Sequence, residues 1–311
     1  MQYKKDFEKH KSRILKILNE DSKALNFTHV DMDGIGSNIA LTRRLKNTVK
    51  IEVNYHDVAK RMANFDLKSY DVVIFSDICP SDCLETLKRY NHIIILDHHN
   101  TAVEFHNPEK NIFVYDGFSG SKLCQEFIIS MFGESRQSSN ISELINIIND
   151  YDLWIHADRR STIFNWLYDK YGSDGFKSRF EHGDIKLLNS EKDWLIKRTD
   201  LLRDTFSKLD LFDFETVDAT MIIAGDFIND LAQKVFDKHP YGFVLILNPS
   251  NLQCSVRARD TFDVGTMLKT LGIGGGHKNA GGFRSTDRND FEKNVKHIER
   301  YAFDNCKSIR K

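Results

Sequence analysis

Nowhere does the chain run to the roughly 18 consecutive apolar residues that a membrane-spanning helix needs. Its opening segment, MQYKKDFEKHKSRILKILNE, is charged and amphipathic and lacks the apolar core of a secretory signal. A soluble, cytoplasmic protein with no membrane partner is therefore expected. Cysteine is sparse: there are five, an odd number, and no C-x-x-C pair. That argues against a disulfide framework and against a thiolate zinc knot. Charge of one sign is missing too, with a formal net charge of -1 and a pI of about 6.9. A protein that wraps long nucleic acid draws its affinity from a broad Lys/Arg surface, so that function is disfavoured. Short phosphate ligands stay open, because a local positive site such as a divalent cation suffices for them. No internal repeat or low-complexity segment occurs.

What is present is alternation. At 311 residues the chain has room for two domains of ordinary size. Strands are predicted at 24–30, 50–55, 71–76, 92–97 and 111–115, where Ile, Val and Phe make nearly continuous apolar runs. Helical spacing lies between them, as at 37–46 and 81–90. Continuous apolar strands joined by helices imply a parallel sheet covered on both faces, an α/β domain. The pattern from about 118 to 210 is mainly helical. From about 218 strands and helices alternate again, which predicts a second, smaller α/β domain. The divisions read from this are 1–190, a helical linker at 191–217, and 218–311.

Residues capable of chemistry sit where the predicted strands end. His29 and Asp31 follow the first, Asp77 the third, and Asp97, His98 and His99 the fourth. The carboxyl ends of an open parallel sheet share one edge, where ligands bind. In THVDMDGIGS, an extended backbone would project His29, Asp31 and Asp33 to one side as a metal-binding ladder. Gly34 and Gly36 would then allow a close turn into a helix. Burying Asp97 beside two imidazoles in HIIILDHHN is costly without compensation. A mixed His/Asp set with no thiolate favours Mn²⁺, with Asp97 orienting a histidine. Asp150 and Asp152, in IINDYDLW, oppose a helix dipole at its C-terminal end, and a cation there would explain them. Ser119 or Ser121 is read as a helix cap. Further on, the loop GIGGGHKNAGG supplies Gly275, Gly276 and His277 for an anion nest. Arg257 and Arg259 of SVRAR are expected to point the same way as a phosphate clamp.

Taken in order, HVDMDG, SDICP, LDHHN and IINDYD resemble the four motifs of the DHH phosphoesterase superfamily, and GGGHKNAGG resembles the signature of its DHHA1 domain. The resemblance spans about 24 to 284. It implies a DHH domain at 1–190, a DHHA1 substrate-binding domain at 218–311 and an active site between them. By the resemblance, His29, Asp31, Asp33, Asp77, His98 and Asp150 are metal ligands with Asp77 bridging, and Asp150 is preferred over Asp152. His99 is a catalytic or outer group, and Arg257, Gly275, Gly276 and His277 hold substrate. The cofactor implied is a pair of Mn²⁺ ions, with Mg²⁺ or Co²⁺ as substitutes, activating a water for phosphodiester hydrolysis. Family II pyrophosphatases carry an Asn-Pro-Asp first motif that is absent here, and RecJ-type exonucleases carry an added OB-fold for which this chain lacks room. The compact members remain: nanoRNases, pAp phosphatases and cyclic or linear dinucleotide phosphodiesterases. The expected activity is nanoRNase-like hydrolysis of short oligonucleotides or dinucleotides to nucleoside monophosphates. The alternatives are a RecJ-like single-strand exonuclease with an accessory protein, a cyclic-dinucleotide phosphodiesterase or a pAp phosphatase. A homodimer is compatible with all of them.

Overall fold

A computed structural model describes residues 2–259, 262–276 and 278–311. The chain divides into two units, Met1–Glu191 and Lys192–Lys311.

In the first unit, α1 (Gln2–Ile14) precedes β1 (Ala24–His29), α2 (Met32–Thr42) and β2 (Thr48–Val53). The short α3 (Val58–Met62) leads to β3 (Val72–Ser76), and α4 (Leu84–Leu87) to β4 (Ile93–Asp97) and β5 (Ile112–Val114). Helices α5 (Gly120–Phe132), α6 (Arg136–Asn140), α7 (Ser142–Asp152) and α8 (Arg160–Phe180) follow. All five strands are parallel, in the order β2-β1-β3-β4-β5. The aliphatic runs explain this: β3, β4 and β5 are buried along their whole length, as strands covered on both faces must be. One apolar layer, including Ile35, Ile39, Ile74, Phe113 and Phe127, packs helices against one face of the sheet. Another, including Phe27, Val73, Phe75 and Ile95, fills the other face. Each such side chain contributes about 1.5–3 kcal/mol relative to exposure. The segment predicted helical at 81–90 yields only a 3₁₀ turn and the four-residue α4.

A buried polar seam joins β1 to β3 and fixes their ends. The Ser76 hydroxyl donates to Asn26 Oδ1 at 2.9 Å, and the Thr28 hydroxyl donates to the Gly34 carbonyl at 2.8 Å. The last contact draws the start of α2 onto the end of β1. A Cβ at Gly34 would lie 2.0 Å from the His29 carbonyl oxygen, so only glycine permits this approach.

The connecting helix α9 (Asn189–Ser207) spans the division between the units. The second unit contains β6 (Phe212–Asp213), β7 (Ala219–Ile223), α10 (Ile228–Lys238), β8 (Phe243–Asn248) and β9 (Gln253–Ala258). It ends with α11 (Val264–Thr270), β10 (Gly274–Gly276), β11 (Ala280–Arg284) and α12 (Arg288–Asn305). Its sheet runs β10-β11-β9-β8-β7-β6 and is mixed: β7 and β8 are parallel across the α10 crossover, and the other pairs are antiparallel. This second sheet agrees with the two-part α/β architecture expected. Among the described residues no helix is long and apolar enough to cross a membrane.

Candidate metal centre

Strand order β2-β1-β3 reverses direction at β1, so the crevice opens at the carboxyl ends of β1 and β3. His29 ends β1, Asp77 follows β3, and Asp97 ends β4 ahead of His98. The first motif is not an extended ladder throughout. Asp31 is the N-cap of α2, accepting from the Gly34 N–H at 2.8 Å, and Asp33 lies in the helix's first turn. An N-cap aspartate needs this extended-to-helical switch, and the helix begins two residues before the glycines expected to start it. His29 and Asp31 still meet, with Nδ1 2.8 Å from Oδ2.

Asp33 is anchored from below. Its carboxylate accepts the Gly120 and Ser121 N–H groups of α5 at 2.6 and 3.1 Å, a helix N-terminus taking an anion. Ser119 caps that helix through Lys122 N. Gly120 has no alternative here, since a Cβ would meet the Asp77 Cβ at 2.6 Å. Asp77 itself has φ 58°, a left-handed conformation costing about 1–3 kcal/mol in a non-glycine residue. Strain of this kind at a strand end aims the carboxylate into the crevice.

His98 is the hub. Its Nε2 stands 3.1 Å from Asp77 Oδ1, 3.4 Å from Asp152 Oδ2 and 3.7 Å from Asp33 Oδ2. His29 Nδ1 lies 4.0 Å from the other Asp77 oxygen. Three overlapping sets, His29/Asp31/Asp77, Asp77/His98/His99 and Asp33/His98/Asp152, each gather donor atoms within 4.8 Å of one another. Behind them Asp97 Oδ1 accepts from His99 Nδ1 at 2.7 Å.

Asp150, preferred on the sequence, is not among these gathered side chains. Its carboxylate accepts the Ala157 and Asp158 N–H groups at 3.0 and 3.2 Å, which closes the turn after α7. Asp152, two residues on, reaches the cluster instead. On a helix, residues at i and i+2 face nearly opposite ways, so only one of the two can do so. Asparagine at 152 is expected to weaken divalent-ion binding at least ~100-fold, beyond the usual effect of residues behind a metal. The same change at 150 should lower the melting temperature and leave ion affinity within a few-fold, as calorimetric titration of both variants would show.

Electrostatically the cluster is self-repelling. Burial and then Asp33, Asp31, Asp152 and Asp97 push the Asp77 carboxyl well above the usual range. Burial and then Asp33, Asp31 and Asp97 do the same to Asp152. His98 is driven down to about 4 by burial and by His99, against the pull of the acids, so it is neutral at pH 7. For Asp97 burial acts upward, but His99 prevails and lowers it. His29 is raised because Asp31 outweighs its burial. Asp77 Oδ2 and Asp152 Oδ2 are buried without a hydrogen-bond partner. Buried carboxylate oxygens without hydrogen-bond partners are what divalent cations neutralise, and neutral imidazole plus carboxylate is a suitable donor set.

In the second unit, Gly275 and Gly276 pair with Gly282 and Gly281 in the β10–β11 hairpin, beside Arg257 of β9. The Arg257 Nε donates to Asn229 Oδ1 at 2.8 Å. Arg259 does not join it in a clamp: its guanidinium donates to the Phe236 and His239 carbonyls at the end of α10, where orphan carbonyls attract a cation. His277 lies outside the described residues. Sequence reasoning passed over Tyr55, whose hydroxyl bonds His99 Nε2; its position just past β2, at the same sheet edge, was the available signal.

Residues 23–148 match the model of the DHH family, N-terminal domain. The chain carries a DHH domain. Solved structures agree in fold. RecJ from Thermus thermophilus in complex with Mn²⁺ aligns with a TM-score of 0.59 at 14% identity, over 96% of this chain and 55% of RecJ. This chain thus spans about half the length of that RecJ. An exopolyphosphatase-related protein from Bacteroides fragilis aligns at 0.58 with 15% identity, over 95% of this chain and 96% of its own. A pGpG-specific phosphodiesterase from Vibrio cholerae aligns at 0.53 with 12% identity, over 89% and 99%. No curated protein matches the sequence significantly. In the DHH domain here, the match covers β1 to most of α7 and so includes every cluster residue but Asp152.

Proposed function

We propose that this chain is a divalent-metal-dependent phosphodiesterase, Mn²⁺ being the preferred ion, that hydrolyses short oligonucleotides or dinucleotides to nucleoside monophosphates. The observation carrying this reading is the buried set of mutually repelling carboxylates around His98, with two carboxylate oxygens lacking donors. His29, Asp31, Asp33, Asp77, His98 and Asp152 would hold two cations, the two Asp77 oxygens being turned toward His98 and His29. When bound, such a pair supplies a water of lowered pKa and neutralises the phosphodiester's charge. The chain's own part is positional. Helix α5 fixes Asp33, the strained Asp77 backbone fixes its carboxylate, and Asp97 orients the His99 ring.

Short substrates are favoured by the near-neutral composition, which gives no net positive charge to draw a long strand. The Mn²⁺ in the RecJ structure and the linear dinucleotide in the name of the Vibrio enzyme are in keeping with this reading. Arg257, Gly275, Gly276 and His277 are the candidate substrate residues of the second unit. The test is a panel of pAp, pApA, a cyclic dinucleotide and a labelled 24-mer with Mn²⁺, ranked by initial rate. The expected order places pApA first, with hydrolysis abolished by EDTA and restored by Mn²⁺. A faster 24-mer would move the assignment to a single-strand exonuclease, and silence on all four would end it.

A further inference from the structure

A cleft of about 340 Å³ opens at the end of β2, and none of its lining residues belongs to the metal cluster. One wall is Val53, the last residue of β2, which lies opposite His29 in the parallel register. Tyr55, between the lining residues Asn54 and Asp57, packs its ring 5.0 Å from the His29 ring and 5.3 Å from the His99 ring. A ligand in the cleft is therefore a neighbour of whatever the cluster holds. The volume falls at the lower end of the range of small-molecule sites, room for a nucleobase rather than a phosphate alone.

The polar groups of this cleft are not engaged by the fold. Asn54 and Asp57 stand at the N-caps of the 3₁₀ turn Tyr55–Asp57 and of α3, where such side chains ordinarily accept a backbone N–H, and neither does so. Lys60 and Arg61 of α3 are exposed and, among the described residues, pair with no acid. Glu52, the other acid of the lining, is by contrast committed, accepting from Lys50 Nζ at 2.6 Å.

Mixed charge selects the ligand. An unpaired carboxylate in the wall repels a phosphate, but its two oxygens accept a pair of N–H groups side by side. Lysine and arginine donate to paired acceptors. Guanine carries both arrays: O6 and N7 accept, and N1–H and the N2 amino group donate. Adenine has a bare N1 where guanine has N1–H, so it would set a lone pair against the carboxylate.

We propose that the cleft is a nucleobase subsite selective for guanine, with Asp57 accepting from N1–H and the N2 amino group while Lys60 and Arg61 donate to O6 and N7. The proposal rests on the phosphodiesterase reading above and adds which base flanks the bond that is cut.

The test uses the full chain with Mn²⁺ and the four dinucleotides pApA, pApG, pGpA and pGpG. Separately, GMP and AMP binding to the metal-free chain is measured by calorimetry. Guanine at one of the two positions should raise kcat/KM at least about tenfold over adenine, the discrimination that one good bidentate contact supplies. GMP should bind tighter than AMP by a similar factor. Asp57→Asn, a change at an exposed position outside the core, should bring both ratios to within about threefold, chiefly through KM. Lys60→Ala combined with Arg61→Ala should do the same, and Mn²⁺ affinity should hold in both variants. Rates within about threefold for all four dinucleotides, or a guanine preference that survives Asp57→Asn, would overturn the subsite and leave the phosphodiesterase standing. Asp57-dependent selectivity for GMP in a chain that cleaves none of the four would uphold the guanine site and end the phosphodiesterase reading.

Discussion

Asparagine in place of Asp77 is expected to abolish hydrolysis, by at least about 10³-fold, while leaving the metal-free protein no less stable than the wild type. The loss in rate is of the order seen when one central electrostatic contributor is removed from an active site. The stability half of the expectation comes from the cluster's repulsion. Asp77 and Asp152 have carboxyls raised above their ordinary value of 3.8 by burial and by one another's neighbours. A raised carboxyl binds more protons folded than unfolded, so its stabilising effect is complete below the unfolded value and is lost as the pH rises through the folded one. Metal-free wild type should therefore lose stability through these two groups as the pH climbs from 3.8 towards neutrality, and Asp77→Asn should flatten that slope. Added Mn²⁺ should restore the wild type, by about 2.7 kcal/mol per ion at one hundred times its Kd. The variant should gain far less. Differential scanning fluorimetry across pH, with and without Mn²⁺, reads all of this in one set of plates.

Removing Glu191 is expected to cost about 3–5 kcal/mol of unfolding free energy, the usual consequence of breaking a buried ion pair from one side. Glu191 is fully buried. Its carboxylate accepts from Arg179 Nε at 3.0 Å, Tyr171 Oη at 2.8 Å and the Leu188 N–H at 2.6 Å. Alanine leaves Arg179, whose side chain is only 15% exposed, without its counter-charge. The pH signature has the opposite sign to that of Asp77. Burial acts upward on Glu191, but the Leu188 N–H, Arg179 and Tyr171 prevail and lower its carboxyl. Its contribution is complete above the unfolded value of 4.5 and is lost as the pH falls through the depressed folded one. Urea melts of wild type and Glu191→Ala should differ most at neutral pH and converge in acid. A difference that held constant down to pH 3 would show that the lost contacts are not those of an ionised carboxylate. With Arg179→Ala as the second arm, the two changes should fall short of additivity by at least ~1 kcal/mol, since they share one network.

The candidate site was more legible in the sequence than the scaffold beneath it. A parallel sheet writes its strands as unbroken aliphatic runs, and polar residues at their ends are conspicuous against them. That is how His29, Asp77 and His98 could be placed at one edge before any coordinates. The interior of the first motif was legible only in part, because alternate spacing fits an extended ladder and an N-capped helix equally well; the hydrogen bond from Gly34 to Asp31 decides for the helix. At the fourth motif a signal was present and went unread. Asp152 lies four residues after Ile148 and seven after Ile145, both buried in α7, so it continues their stripe, whereas Asp150 turns its carboxylate into the following loop. Tyr55 and Glu191 were hidden for a different reason. Each acts through partners brought near by the fold, and beyond its place just past β2 nothing distinguishes a tyrosine that meets a distant histidine from one on an exposed turn. Arg259 shows the converse, a residue whose spacing from Arg257 suggested a shared task until the end of α10 claimed it.

The central claim is that side chains from separate strand ends and helices hold a pair of divalent ions. Crystals soaked in Mn²⁺ and measured at the manganese absorption edge test it most directly. Two anomalous peaks about 3.5–4 Å apart, between Asp77 and its neighbours His29, Asp31, Asp33, His98 and Asp152, are the result expected. No peak there, or manganese bound only elsewhere on the chain, would contradict it.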